Sequence, residues 1–572
     1  MSVAEWQAQW EWLVPFGGVL AFIAAFGIGA NDVANAYATS VGSRALTIKQ
    51  ACMLAVVFEF LGAFLAGSQV ADTIRKGIAD YKCFADDPEL LMYGNMIVII
   101  SVAIWLLVAT KYEMPVSTTH SCVGGMIGMT IVAKGVDCVI WSAEGNSDNL
   151  YLPKGVVAIV LSWVISPVLS GIFAICLYVV LRKFVLRAED SFKRAIRFYP
   201  ILIFVALLLN IFFIIAKGLT KKICPKDADD AGFLCQTEDG APKGKADALV
   251  SPPLSETRQQ LAALGVSAGV AFVVSVCCYP LYSYIGRRVE ERYVLSPADR
   301  QSKGDQETMT KAVVIESKEI DSKEVVVEPA EQSKKQKVMK ALFYSLNADV
   351  HSSITDSQTV AAIHNNAEKF DPKTQMVFEY IQIFTAIVDS FAHGANDVAN
   401  AMGPFMAIYA INKSGTVGKK SDSDDDGLWI LALGGIGIGV GLCLYGYQII
   451  RAIGVKLAVI TPPRGVTIEL GAAVVIIFGS FLGLPLSTTH CQVGATTGVA
   501  LLEGKGGVNK FILVKTVIGW VITLVVVGFT TGILLAWGLH APLFGGKQDL
   551  LLNQDCPAWT VDNGYIRNAS MA

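Results

Sequence analysis

One polar octapeptide occurs twice in this chain. Gly29-Ala30-Asn31-Asp32-Val33-Ala34-Asn35-Ala36 returns unchanged as Gly394-Ala395-Asn396-Asp397-Val398-Ala399-Asn400-Ala401. Each copy lies inside a long apolar run, where a carboxylate costs at least about 2.5–3.5 kcal/mol if it sits at the middle of a bilayer. Further along each half comes a second shared stretch, Pro115-Val116-Ser117-Thr118-Thr119-His120 and Pro485-Leu486-Ser487-Thr488-Thr489-His490. Two polar motifs, repeated in the same order, imply a duplicated membrane protein with one site built from both halves.

Composition supports the membrane. Of 572 residues, 53% are hydrophobic and only 17% are charged, well away from a soluble average. Apolar runs fall at 12–38, 47–70, 94–110, 116–133, 155–181, 198–217 and 261–285, and again at 378–409, 428–447, 466–484, 486–503 and 511–537. The expected fold is therefore an all-α polytopic membrane protein with about 12 transmembrane segments. The runs that begin at the two Ser-Thr-Thr motifs are rich in Gly and Thr, and read as broken or re-entrant helices lining an enclosed cavity. Seven runs precede the second copy, so it enters the bilayer from the side opposite the first. A tandem duplication thereby becomes two inverted-topology repeats. The N-terminus lacks a basic n-region and a small-residue cleavage site, so its first run reads as a retained span. No basic tract with interleaved aromatics supports nucleic-acid binding.

Four regions follow: 1–286 as the first repeat plus additional spans, 287–376 as a largely disordered or partly helical loop, 377–538 as the second repeat, and 539–572 as a tail. Arg182, Lys183, Arg187, Lys193, Arg194 and Arg197 crowd one short loop, and the positive-inside rule makes it cytoplasmic. Both termini then lie outside and the 287–376 loop inside. The sequons Asn412-Lys413-Ser414 and Asn568-Ala569-Ser570 also fall outside, as glycan acceptors must. Cys83, Cys138, Cys224, Cys235 and Cys556 are in polar loops. Of these, Cys224 and Cys235 flank a short loop and are candidates for a disulfide in an oxidising space.

On a helix, Asn31, Asp32 and Asn35 share one face, as do Asn396, Asp397 and Asn400. The small residues around them admit a neighbouring helix closely. Ser117-Thr118-Thr119 and Ser487-Thr488-Thr489 follow prolines at helix starts, where free N–H groups and hydroxyls favour an anion. The same serines and threonines also serve as ordinary N-caps. Neither motif contains Arg or Lys, so an anion would be held by hydroxyls, amides and bound cations. Carboxylates repel an anion, which makes sense of Asp32 and Asp397 only with cations between. Their oxygens, with those of Asn31 and Asn396, suit a hard cation such as sodium. Mutual stabilisation of anion and cation is the thermodynamic basis of symport. His120 and His490 read as packing groups or as proton relays. Glu59 and Glu469 are further intramembrane acids and functional candidates.

With these residues in view, the sequence resembles the inorganic phosphate transporter family of sodium–phosphate symporters, over 12–285 and 378–537. The resemblance rests on the duplicated octapeptide, the paired Ser-Thr-Thr-His stretches and the context Thr467-Ile468-Glu469-Leu470. It implies twelve spans in inverted repeats, a large cytoplasmic loop and a homodimer. It also implies that Asp32, Asn35, Asp397, Asn400 and both Ser-Thr-Thr triplets surround phosphate and its sodium, and that Glu59 and Glu469 serve transport. No cofactor is expected beyond co-transported sodium. Proton coupling, or sulfate as cargo, is the alternative within this class. Outside it stand an intramembrane hydrolase using Asp32 and Asp397 as a dyad, and a phosphate sensor.

Overall fold

The computed structural model describes residues 3–68, 71, 74, 77–142, 155–215, 256–295, 344–417, 427–481, 486–504 and 506–540, with a strand pair, Trp559–Asp562 and Tyr565–Asn568. In the first half, α1 (Val3–Trp10) leads into α2 (Leu13–Ile28), a widened π turn (Gly29–Val33) and α3 (Ala34–Gly42). Then come α4 (Ile48–Ala66), α5 (Pro88–Lys111), α6 (Thr118–Lys134), α7 (Val156–Leu181), α8 (Ser191–Phe213), α9 (Glu256–Cys277) and α10 (Tyr279–Leu295). Short helices α11 (Ser352–Asp356) and α12 (Gln358–Asn366) precede the 43-residue α13 (Pro372–Ser414). The rest are α14 (Leu428–Tyr445), α15 (Tyr447–Arg451), α16 (Pro462–Phe481), α17 (Thr488–Leu501) and α18 (Lys510–His540).

Local chemistry sets these boundaries. Thr47 and Gln50 form a reciprocal capping box at the start of α4. The Asp371 side chain caps α13, Pro372 opens it, and Gly415 closes it in the left-handed conformation. Phe511, Phe529 and Trp537 on α18 stand 75%, 69% and 71% exposed, which on a helix this apolar marks a lipid-facing side. The main apolar core mixes the halves, joining Leu13, Ile28 and Val98 to Val398, Phe405 and Leu442.

Eight helices among the described residues are long and apolar enough to cross a membrane, and α9 with α10, bent by 46°, makes a ninth. Three of the twelve expected runs behave differently. The 378–409 run lies in α13, which has too many polar residues to pass as a simple span. The 116–133 and 486–503 runs yield helices of 17 and 14 residues. At 1.5 Å per residue these reach about 20–25 Å, short of a bilayer's ~30 Å core. Their starts meet: Thr119 at the head of α6 reaches the Leu486 carbonyl, and Thr489 at the head of α17 that of Val116.

Other expectations need revision. The first octapeptide is not regular helix: Gly29–Val33 is a π turn, whereas the second copy continues α13 unbroken. Within 287–376, α10 runs to Leu295 and α11–α12 pack onto helix ends. His351 Nε2 donates to the Gly42 carbonyl at 3.2 Å and His364 Nε2 to that of Val455 at 3.1 Å. These contacts supply order that polar composition alone hides. Cys83 is bonded to Cys138; Cys224, Cys235 and Cys556 lie outside the described residues. Asn412 sits in the last turn of α13 with its Nδ2 buried, a poor presentation for a glycan acceptor.

Candidate functional site

The two octapeptides and the two Ser-Thr-Thr starts converge at one buried point, and their contacts are reciprocal. Thr118 Oγ1 donates to Asp32 Oδ2 at 2.7 Å, and Thr488 Oγ1 to Asp397 Oδ2 at 2.6 Å. Asn35 Nδ2 donates to Asp32 Oδ1 at 3.2 Å, and Asn400 Nδ2 to Asp397 Oδ1 at 3.3 Å. The halves interlock through the same groups. Asn35 reaches Thr489 Oγ1 at 3.2 Å, while Asn400 reaches Thr118 Oγ1 at 2.9 Å and Thr119 Oγ1 at 3.4 Å. Thr119 donates to the Leu486 carbonyl and Thr489 to that of Val116, each at 3.2 Å. Thr489 also bonds Asp32, and Thr488 lies 3.4 Å from Asp32 Oδ1.

Three residues of the expected set have other duties. Ser117 and Ser487 accept from the N–H groups of His120 and His490 as N-caps, so their hydroxyls face their own helices. Asn31 donates to Thr110 Oγ1 and the Met114 carbonyl, and accepts from Val116 N–H, each at 3.0 Å. It ties the first triplet to α5. Its counterpart Asn396 is less committed: Nδ2 bonds Asp397 Oδ1 at 2.9 Å and the Leu486 carbonyl at 3.2 Å, and Oδ1 has no partner. The amide oxygens of Asn35 and Asn400 are likewise buried without partners.

His120 and His490 brace the cage. Their rings meet edge to face at 4.4 Å, and each packs on a tryptophan, Trp163 at 3.6 Å and Trp520 at 3.7 Å. Each Nδ1 pairs with the backbone carbonyl of the other's tryptophan: His120 with Trp520 at 3.2 Å, His490 with Trp163 at 3.0 Å. Packing and these bonds place both rings, while each Nε2 is buried without a partner.

A residue absent from the sequence-based set stands at the centre. His393 places Nε2 2.9 Å from Asp397 Oδ2 and 4.0 Å from Asp32 Oδ1, while Nδ1 lies 3.1 Å from Glu59 Oε2. Ser390 also donates to Glu59, at 2.9 Å. Glu59 thus joins the central group, and Glu469 does not. Glu469 accepts from Thr39 at 2.6 Å, Ser40 at 3.0 Å, Gln382 at 3.3 Å and Thr385. Intramembrane ionisable residues are functional candidates wherever they occur, a rule that singles out His393, and Asp389 one turn before it, as readily as the motif residues.

The electrostatics call for cations. One ligand atom each from Asp32, His393 and Asp397 lies within 4.8 Å of the others. Two ionised carboxylates at about 5 Å repel by roughly 3 kcal/mol at an effective dielectric of about 20. Asp32, Asp397 and Glu59 together face one imidazole. The oxygen donors (carboxylate, amide and hydroxyl) fit a hard cation, while His393 keeps both ring nitrogens against carboxylates.

Relatives agree with this chemistry. The profile of the Phosphate transporter family matches residues 28–531. A phosphate-repressible phosphate permease of Neurospora crassa is 33% identical, over 94% of this chain and 99% of its own. Sodium-dependent phosphate transporter 1-A of Danio rerio is 28% identical, over 92% and 94%. A solved sodium-dependent phosphate transporter superposes with a TM-score of 0.62 at 30% identity, over 92% of this chain and 98% of that one. These relatives are carriers rather than enzymes, and the apolar helices make this an integral membrane protein. With a profile match across most of its length and a relative above 30% identity, the chain belongs to the phosphate transporter family.

Proposed function

We propose that this chain carries inorganic phosphate across the plasma membrane by sodium-coupled symport with alternating access. The reciprocal cage carries this reading: four threonine hydroxyls at two helix starts donate to Asp32 and Asp397 or to backbone carbonyls beside them. Sodium ions taking over the carboxylate oxygens would release the Thr118, Thr488 and Thr489 hydroxyls and the Asn35 and Asn400 amide N–H groups to donate to a tetrahedral oxyanion. First turns of α6 and α17 add unpaired N–H groups and the positive ends of two helix dipoles. Cation and anion then favour each other's binding, and such favour is reciprocal. Sodium is named by relatives such as the Danio rerio transporter.

The matched contacts support two inverted repeats spanning roughly the two expected halves, with α6 and α17 as paired half-helices from opposite sides. Helix α7 supports an orientation: its start bonds beside the Cys83–Cys138 disulfide, through Val156 N–H to the Ile140 carbonyl, and its end leads into the basic cluster at Arg182. Disulfides belong outside and basic loops inside. The two rules agree, and both termini then lie outside. A homodimer is part of the same reading.

Uptake of labelled phosphate into proteoliposomes tests it. An inward sodium gradient should drive uptake that choline does not support. Uptake that follows a proton gradient and ignores sodium would replace the coupling ion, and uptake of sulfate alone would replace the cargo.

A further inference from the structure

Among the described residues, one buried carboxylate oxygen has no hydrogen-bond partner: Oδ1 of Asp389. Asp389 is 1% exposed on α13, eight residues before Asp397, about 12 Å along the helix. Its other oxygen accepts from Gln492 Nε2 on α17. Gln492 is also buried, and its Oε1 has no partner. One turn further along the same face of α17, the buried hydroxyl of Thr496 is unpartnered too. Among the described residues, no lysine or arginine is paired with this group. The nearest imidazole, His393, is held by Glu59 and Asp397.

A buried carboxylate with one amide donor is costly unless a positive charge or a proton joins it. A proton on Asp389 Oδ1 could bridge to the Gln492 amide oxygen as a cyclic acid–amide pair, but it would leave the Thr496 hydroxyl oxygen without a partner. A small cation takes ligands from both at once, with the Thr496 hydroxyl at hand, and an all-oxygen set with a single carboxylate suits a hard monovalent ion. We propose that Asp389 and Gln492 form a cation site separate from the Asp32–Asp397 pair, holding one sodium ion on the way between the centre and the Pro372 end of α13. Only the choice of sodium rests on the function proposed above. Thr385 and Gln382, which reach Glu469, continue the same polar row toward that end.

Radiolabelled sodium binding to the purified full-length chain, without phosphate, tests the site. In an Asp32→Asn/Asp397→Asn background, one saturable sodium should remain. Adding Asp389→Asn, or Gln492→Leu in a variant that keeps the carboxylate, should weaken it at least tenfold. A background that binds no sodium, or binds it equally well after both additions, overturns the proposal. Should the background not yield monodisperse protein, Asp389→Asn alone is read by uptake. The Hill coefficient for sodium should fall and half-activation rise at least threefold, with the phosphate KM at saturating sodium unchanged; an unaltered sodium activation curve overturns it. Absence of sodium-driven uptake by the unmodified chain would instead count against the proposed function, leaving the binding result to stand by itself.

Discussion

The two copies of the octapeptide share every letter and sit in different surroundings. Aligned on them, Gln382, Thr385, Asp389 and His393 of α13 stand where α2 has Gly17, Leu20, Ala24 and Ile28. Glu59 packs its backbone on Gly394 where Ile438 packs on Gly29. From the centre outward, the second copy continues as a polar stripe, and the first as apolar wall. At the centre the halves are near equals; leading away from it, only one is built for ions. Duplication supplies a symmetric cage, and later divergence supplies a direction.

The largest effect should test the equality at the centre. Asp32→Asn and Asp397→Asn should each cut sodium-driven phosphate uptake roughly thirtyfold or more, since losing one charged partner of a buried ion costs about 2–5 kcal/mol. Full activity in either variant, measured at equal protein in proteoliposomes, would break the equivalence. Next comes the asymmetry itself. Ala24→Asp, which writes the Asp389 carboxylate into the first half, should destabilise the fold by about 2.5–3.5 kcal/mol, seen as a lower melting temperature. A variant as stable as the parent would mean that the apolar wall tolerates charge.

Glu469→Gln should lower uptake roughly tenfold, because four donors then face a group that is no longer a full acceptor, at about 1–3 kcal/mol. An unchanged rate would reduce Glu469 to structural glue. Ser117→Ala and Ser487→Ala should behave alike, each costing about 1 kcal/mol of stability with the phosphate KM nearly unmoved. A KM that rises several-fold would return these hydroxyls to the anion. The smallest effect lies at the α13 entrance. Hydrogen bonds from Arg187, opposed by partial burial and aided by Arg182, hold the Glu368 carboxyl below its usual range. That contribution is complete above the unfolded value near about 4.3 and fades as pH falls below it. Melting temperature should therefore drop on acidification by more in the parent than in Glu368→Gln, within about 1 kcal/mol.

Much of the centre is legible in the sequence, because polar residues repeated letter for letter inside apolar runs are too costly to keep without a shared site. Asp32, Asn35, Thr118, Thr119 and their partners Asp397, Asn400, Thr488 and Thr489 meet as the motifs imply. What repetition marks, however, it also limits. His393 and Asp389 are unrepeated, so a search for matched motifs passes over them, although charge in an apolar run is signal enough. The roles of Asn31, Ser117 and Ser487 depend on which way a side chain turns, and no spacing rule reveals that. The Cys83–Cys138 pair joins loops 55 residues apart, a proximity set by how α5, α6 and α7 pack. The π turn at Gly29–Val33 has the same letters as a regular stretch of α13, so its cause lies in tertiary contacts.

Four glycines make those contacts unusually direct. A methyl added at Gly29 would lie 1.8 Å from the Ile438 carbonyl oxygen, and at Gly394 2.3 Å from that of Glu59. At Gly62 and Gly441 the corresponding oxygens, of Phe391 and Phe26, would be 2.0 and 1.9 Å away. Main chain touching main chain has no rotamers to reshuffle, so α2, α4, α13 and α14 are bolted together like the plates of a chassis. Such joints cannot slide by a fraction of a turn and re-seat. The half-helices are joined to their outer partners in the same way: a methyl at Gly128 on α6 would lie 2.1 Å from the Gly528 carbonyl oxygen of α18, and one at Gly494 on α17 2.3 Å from that of Pro167 on α7, so any motion carries each pair as one body.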